Sequence, residues 1–121
     1  MTVINLINVS SITPTTVAGA ITTSRANIID VAADKVAKVN TLLIANIDGT
    51  NAADVTVEVS VDNGSNYVAI AKTVSVPADS TLVVVGKDNG FYLDETDILA
   101  VTASAASDLT YLVSFELMDD A

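Results

Sequence analysis

From Val55 to Asp62 apolar and polar side chains alternate without a break. Val55, Val57, Val59 and Val61 share one side of an extended chain; Thr56, Glu58, Ser60 and Asp62 share the other. A period of two belongs to a strand with one face in a core and one in water. The residues that follow, Asp62-Asn63-Gly64-Ser65-Asn66, contain an Asn-Gly pair that tolerates positive φ, and a new β-rich run starts at Tyr67. Residues 54–61 and 67–73 are expected to pair as an antiparallel hairpin. The bias is global: Val, Ile and Thr supply 18, 10 and 14 of 121 residues. Such β-branched side chains are stiff and suit a pleated surface. Twelve of the fifteen acids are Asp, the type that serves turns and caps, and three are Glu.

Turn clusters divide the rest of the chain. Pro77-Ala78-Asp79-Ser80 precedes a strand at Thr81–Val85; Asp88-Asn89-Gly90 precedes Phe91-Tyr92-Leu93; Asp94-Glu95-Thr96-Asp97 precedes strands at 98–104 and 109–117. In the last strand Leu109, Tyr111, Val113, Phe115 and Leu117 share one face, which places Tyr111 and Phe115 in the core. Residues 28–46 are ambiguous, because Ile29, Ala33, Val36, Val39 and Leu43 also fit helical spacing. Asp34-Lys35 in the middle and the β-rich continuation favour two strands, 27–32 and 36–46, with a tight turn at 33–35. The Asp48-Gly49 and Asn51 cluster marks a further loop. About eight or nine short strands at this spacing make an all-β fold, an antiparallel β-sandwich of jelly-roll or Ig-like type. Strand order, which separates those two, is not visible in the sequence.

Residues 1–24 carry no charged side chain. They read as a short strand, a break at Pro14, and a second run from Val17 to Thr23. Two readings stand side by side: an ordinary first strand, or an extended N-terminal arm lying on a neighbouring subunit, since an uncharged edge left bare is sticky. On the second reading the domains are an arm at 1–24 and a sandwich at 25–121, and the candidate interface residues are Val3, Ile4, Leu6, Ile7, Val9, Ile12, Val17 and Ile21. Ala18-Gly19-Ala20 has the small residues of a signal cleavage site, but no basic residue precedes Arg25 and no continuous apolar stretch precedes it, so a cleaved signal is not expected.

Composition removes many chemistries. The chain has no His, Cys or Trp, hence no imidazole base, no thiol nucleophile and no disulfide. Its four lysines (35, 38, 72 and 87) lie in polar turns or at strand ends, and Gly-x-Ser-x-Gly is absent. No catalytic residue, cofactor site or metal site is expected. Calcium would be the best-suited metal, through Asp62–Asn66 or Asp94–Asp97, but neither run fits the EF-hand pattern and both read as polar turns. A net charge of −10 disfavours nucleic acid and anionic membranes as partners. A carbohydrate-binding module would need exposed aromatics, for which Tyr67, Phe91 and Tyr92 are the candidates.

The segments IANIDGTNAADVTV, VPADSTLVVVGKDNGFYLDETDILAV and LTYLVSFELM, with the preceding ITPTTVAGAITTSRANIIDVAADKVAKVN, resemble small virion structural proteins of tailed bacteriophages, including cyanophages. The resemblance runs from about Ser11 onward. It implies a non-enzymatic β-sandwich used in many copies in the virion, assembled in the host cytoplasm. The role it implies first is a capsid decoration, or cement, protein on the outer shell, a homotrimer bound to the major capsid protein. The other role it implies is a neck, tail or fibre-attachment component; outside the resemblance, the alternative from another class is a bacterial surface or carbohydrate-binding module.

Overall fold

The computed structural model of the chain describes residues 9–120. Nine strands occur among the described residues: β1 Val9–Ala20, β2 Ala26–Asp30, β3 Lys35–Asn46, β4 Ala53–Ser60, β5 Val68–Val76, β6 Thr81–Val85, β7 Phe91–Leu93, β8 Ile98–Ala103 and β9 Leu109–Asp120. The expected all-β sandwich is what the chain adopts. One sheet has the order β1-β9-β3-β6, with β7 also on β3; the other has the order β2-β8-β4-β5. Every pairing is antiparallel. The pairs β4–β5, β3–β6, β2–β8 and β1–β9 are nested, like a long hairpin rolled up until its arms stack as two sheets. This nesting is the jelly-roll arrangement.

The core between the sheets is aliphatic. Leu42 and Ile44 of β3, Val55 and Val57 of β4, Leu99 and Val101 of β8, and Leu109 and Val113 of β9 are buried in it. Each such side chain contributes about 1.5–3 kcal/mol relative to exposure. Phe115 is buried, and Tyr111 and Leu117 pack half-buried against the same cluster. The 33–35 turn joins strands of different sheets, with Asp34 at φ 64°. It is fastened to the β7–β8 turn. Asp34 N–H donates to Glu95 Oε2 at 2.9 Å, Thr96 N–H to Val31 O at 2.8 Å, and Val31 N–H to Asp97 O at 3.0 Å.

Two expectations need correction. β1 does not break at Pro14, which faces Glu116 within a continuous ladder to β9. β1 ends its sheet among the described residues, so a proline whose nitrogen points to the outer side removes no ladder bond. The run from Val17 also stops at Ala20, before the turn at Thr22–Ser24. Val61, expected on the core side of its strand, is 64% exposed, and Val59 is only half-buried. The β4–β5 ladder shifts register on both sides of Val57, and the alternation slips beyond it. Ser60 is buried instead; its hydroxyl donates to Asp62 Oδ1 at 2.9 Å and accepts Gly64 N–H at 2.8 Å.

The register also sets the solvent side of the first sheet. Ala18, Leu112, Leu43 and Val83 lie in one row across β1, β9, β3 and β6. Ala20, Thr110, Ala45 and Thr81 form the next row, and Thr16, Ser114 and Thr41 a row on the other side. Charges begin only beyond it, where Glu116 faces both Pro14 and Lys38.

Candidate interaction surface

β1 is where the uncharged N-terminal sequence enters the fold. Its inner side is hydrogen-bonded to β9; its outer side has no strand partner among the described residues. Ser10 Oγ donates to Asp119 O at 3.0 Å, and Thr16 Oγ1 to Ser114 Oγ at 3.4 Å, which ties the strand down laterally. Gly19 faces Tyr111, and a Cβ built there would lie 3.4 Å from the Tyr111 ring, so the tyrosine covers the place a side chain would fill.

The sequence-derived interface residues divide into three groups. Val3, Ile4, Leu6 and Ile7 lie outside the described residues. Ile12 is 58% exposed on β1, and Val9 packs with Val36 and Met118 in a small cluster apart from the main core. Val17 is half-buried against the core and Ile21 is 1% exposed within it, so Ile21 is an anchor and is not available to a neighbour. Ile21 N–H also donates to Leu109 O at 2.9 Å, continuing the pairing just past β1.

The carboxylates singled out by sequence are engaged as turn caps. Asp62 accepts from Ser60 Oγ, Asn66 N–H and Asn66 Nδ2, each at 2.9 Å, and these donors lower its pKa. Asp48 is lowered in the same way by the N–H groups of Thr50 and Asn51. In the Asp94–Asp97 turn, Asp97 Oδ2 accepts Asp94 N–H at 2.9 Å, and Glu95 caps the opposite turn. Among the described residues no three His, Cys, Asp or Glu side chains are grouped to hold a metal ion.

The aromatic candidates are also engaged. Arg25 Nε and Nη2 donate to the Glu58 carboxylate at 2.9 and 3.2 Å, while the guanidinium lies 4.0 Å from the Tyr67 ring centre. Tyr67 donates its hydroxyl to Asn27 Oδ1 at 3.3 Å. One face of that ring is thereby covered by a cation, not open to a sugar. Lys38 lies 6.0 Å from the exposed Tyr92 ring. Phe91, with Val59, Val61, Val68 and Ile70, lines an apolar hollow of about 340 Å³.

Sequence reasoning missed two structural residues. Arg25, the first charge in the chain, is the hub of the Glu58–Tyr67 clamp; its only signal was its isolation. Asn46 is buried, with Nδ2 donating to Val76 O at 2.9 Å and Asn51 O at 3.0 Å, and Oδ1 accepting Asp48 N–H at 2.8 Å. Its signal was an amide ending an apolar run just before Asp48-Gly49.

No known protein family matches the chain, and no curated protein matches it. Solved structures do. A chain from the disulfide-linked pili of Bacillus endospore appendages is 15% identical, with a TM-score of 0.54 over 92% of this chain and 88% of that one. A pentameric capsid protein isolated from metagenomic phage sequences is 17% identical, with a TM-score of 0.40 over 97% of this chain and 68% of that one. At 15% identity the likeness to the Bacillus chain is one of fold: this chain is a rolled β-sandwich similar in architecture to that pilus chain.

Proposed function

We propose that the chain is a non-enzymatic structural protein of a bacteriophage particle, and within it a capsid decoration protein that binds the major capsid protein as a homotrimer and stabilises the shell from outside. The observation that carries the reading is β1. The uncharged stretch of residues 1–24 contains a twelve-residue edge strand whose outer side has no strand partner among the described residues. A free edge can accept a strand from a partner, and a symmetric particle repeats one such contact many times. The phage-like sequence segments support the virion assignment. With no cysteine in the chain, its copies cannot be joined by disulfides, unlike the disulfide-linked pili of the Bacillus chain that shares its fold. That chain's filament makes a neck, tail or fibre position the second reading.

The test is immunogold electron microscopy of phage particles with antiserum against the chain. Gold over the heads is expected. Gold confined to necks or tails selects the second reading, and unlabelled particles sink both. The arm is tested by deleting residues 1–8 alone. A deletion to residue 24 also removes β1 and the Ile21 anchor, and it would unfold the sheet as well as remove any arm. Loss of particle binding with an unchanged circular dichroism spectrum is the expected result.

A further inference from the structure

We infer that the uncharged segment 2–8 of one copy seats in the apolar hollow where β4, β5 and β7 of a neighbouring copy meet, with Ile4 and Leu6 as its anchors. The inference rests on the many-copy reading above and names the place where a neighbour's N-terminal segment is received. Val59, Val61, Val68, Ile70 and Phe91 wall a hollow of about 340 Å³. Val61, Val68 and Ile70 are 64%, 63% and 46% exposed, so three large aliphatic side chains converge on one spot in contact with water. Single exposed apolar residues are ordinary, but a walled cluster of them marks a contact. The hollow on the outer face of the first sheet is broader, about 560 Å³, but Ala18, Gly19, Ala20, Ala45, Thr81 and Thr110 supply most of its lining. Such short side chains give an aliphatic group little to pack against.

Charge and reach select the occupant. Two copies at −10 each repel, and a carboxylate carried into an apolar hollow would have to be desolvated. Residues 1–24 are the long stretch of this chain that brings no charged side chain with it. Within it, Val3, Ile4, Leu6 and Ile7 are the apolar residues ahead of β1. Extended, this sequence sets Ile4 and Leu6 on one side, about 7 Å apart, and Asn5 on the other. The hollow is out of reach of its own copy's segment. Phe91 lies in one row with Val39, Phe115 and Thr15. Three strand spacings and about five residues of rise separate it from Val9, a distance of about 20 Å. Counted from Val9 along a fully extended chain, Leu6 reaches about 11 Å and Ile4 about 18 Å. A neighbour's segment is under no such limit. Segment into hollow joins two different surfaces, a heterologous contact of the kind that closes into rings, and the trimer proposed above is such a ring.

The absence of cysteine allows a clean test. A full chain carrying Asn5→Cys and a size tag is mixed with a full chain carrying either Ile70→Cys, in the hollow wall, or Ser75→Cys, exposed at the other end of β5. A short bis-maleimide is added, and heterodimer rates are normalised to each thiol's reaction with a monofunctional maleimide. With about 0.1 mM of each chain, and an effective concentration of about 1 mM for a seated segment, Ile70→Cys is expected to crosslink about tenfold faster than Ser75→Cys. Val68→Asp in the receiving chain, or Leu6→Asp in the donor, should bring that rate down to the Ser75→Cys level. Equal rates for the two receiving positions overturn the inference, and so does an Ile70→Cys rate that neither charge lowers. A chain carrying both Asn5→Cys and Ile70→Cys should give dimers and larger species; a crosslink closed within one chain overturns the exchange between copies. Immunogold labelling is independent of this result: labelled heads with equal crosslinking rates would leave the virion reading standing and the hollow without this role.

Discussion

Burial pushes the Asp97 carboxyl above its ordinary range, and the neighbouring Asp94 charge adds to the shift, while the Asp94 N–H that it accepts opposes it. Asp97 is 5% exposed, and its Oδ1 has no hydrogen-bond partner among the described residues. A carboxyl raised in the folded state favours folding when protonated and loses that contribution as pH rises through its folded pKa. Asp97→Asn keeps an oxygen for Asp94 N–H and removes the charge. Its melting temperature should match wild type at pH 4 and exceed it increasingly toward pH 7, and a constant difference across that range would refute this account. Gly90 is fixed by space: a Cβ there would stand 2.8 Å from the Val39 carbonyl oxygen, a backbone atom. Gly90→Ala should cost about 1–3 kcal/mol, read by urea denaturation. Single residues were legible where local chemistry decides. Asn63 and Gly64 take positive φ of 58° and 86° in the turn their sequence announced. They were illegible where a distant strand decides: nothing in Ile21-Thr22-Thr23 reveals that Ile21 N–H will pair with the Leu109 carbonyl.

Strands 4 and 1 show the same division at the scale of elements. The alternation of β4 correctly places Val55 and Val57 inside, because a half-buried strand has no other way to satisfy it. It fails at Val61, because bulges depend on the partner strand. The contrast is measurable: Val57→Asp should cost several kcal/mol through an unpaired buried charge, whereas Val61→Asp should stay within about 0.5 kcal/mol. Equal melting temperatures for the two variants would mean the register is wrong. β1 was legible as an uncharged extended segment but not as an unbroken edge, since Pro14 signals a break unless its free side is known. The edges differ in how they are guarded. β5 carries two register shifts and the positive φ of Thr73, which spoil it as a template. β1 has one shift, near its start, and an uninterrupted ladder from Ser11 to Ala20, so the proline is its main guard. Pro14→Thr should raise aggregation on storage, followed by light scattering, without lowering the melting temperature.

Across the whole molecule, charge is unevenly spread. The net charge of −10 is carried by turns, strand ends and the second sheet, while one end of the first sheet is left bare. Association between copies should therefore strengthen as salt rises from about 0.01 to 0.15 M, as screening shortens the range of repulsion from about 30 to 8 Å. Sedimentation velocity over that series checks it, and dissociation by salt would point to ion pairing between copies instead. The nesting of the strands has a consequence for the order of events during synthesis. The β4–β5 hairpin can close early, but Val9 pairs with Asp120, so β1 stays without its partner until β9 has left the ribosome. Such distant pairings are slow to form. Leu112 belongs to β9 and Ala18 to β1, so the uncharged outer face of the first sheet does not exist on a nascent chain. If the edge of β1 adds a neighbour's strand, only a chain folded as far as β9 can offer it, and the roll itself would delay assembly until each copy is complete.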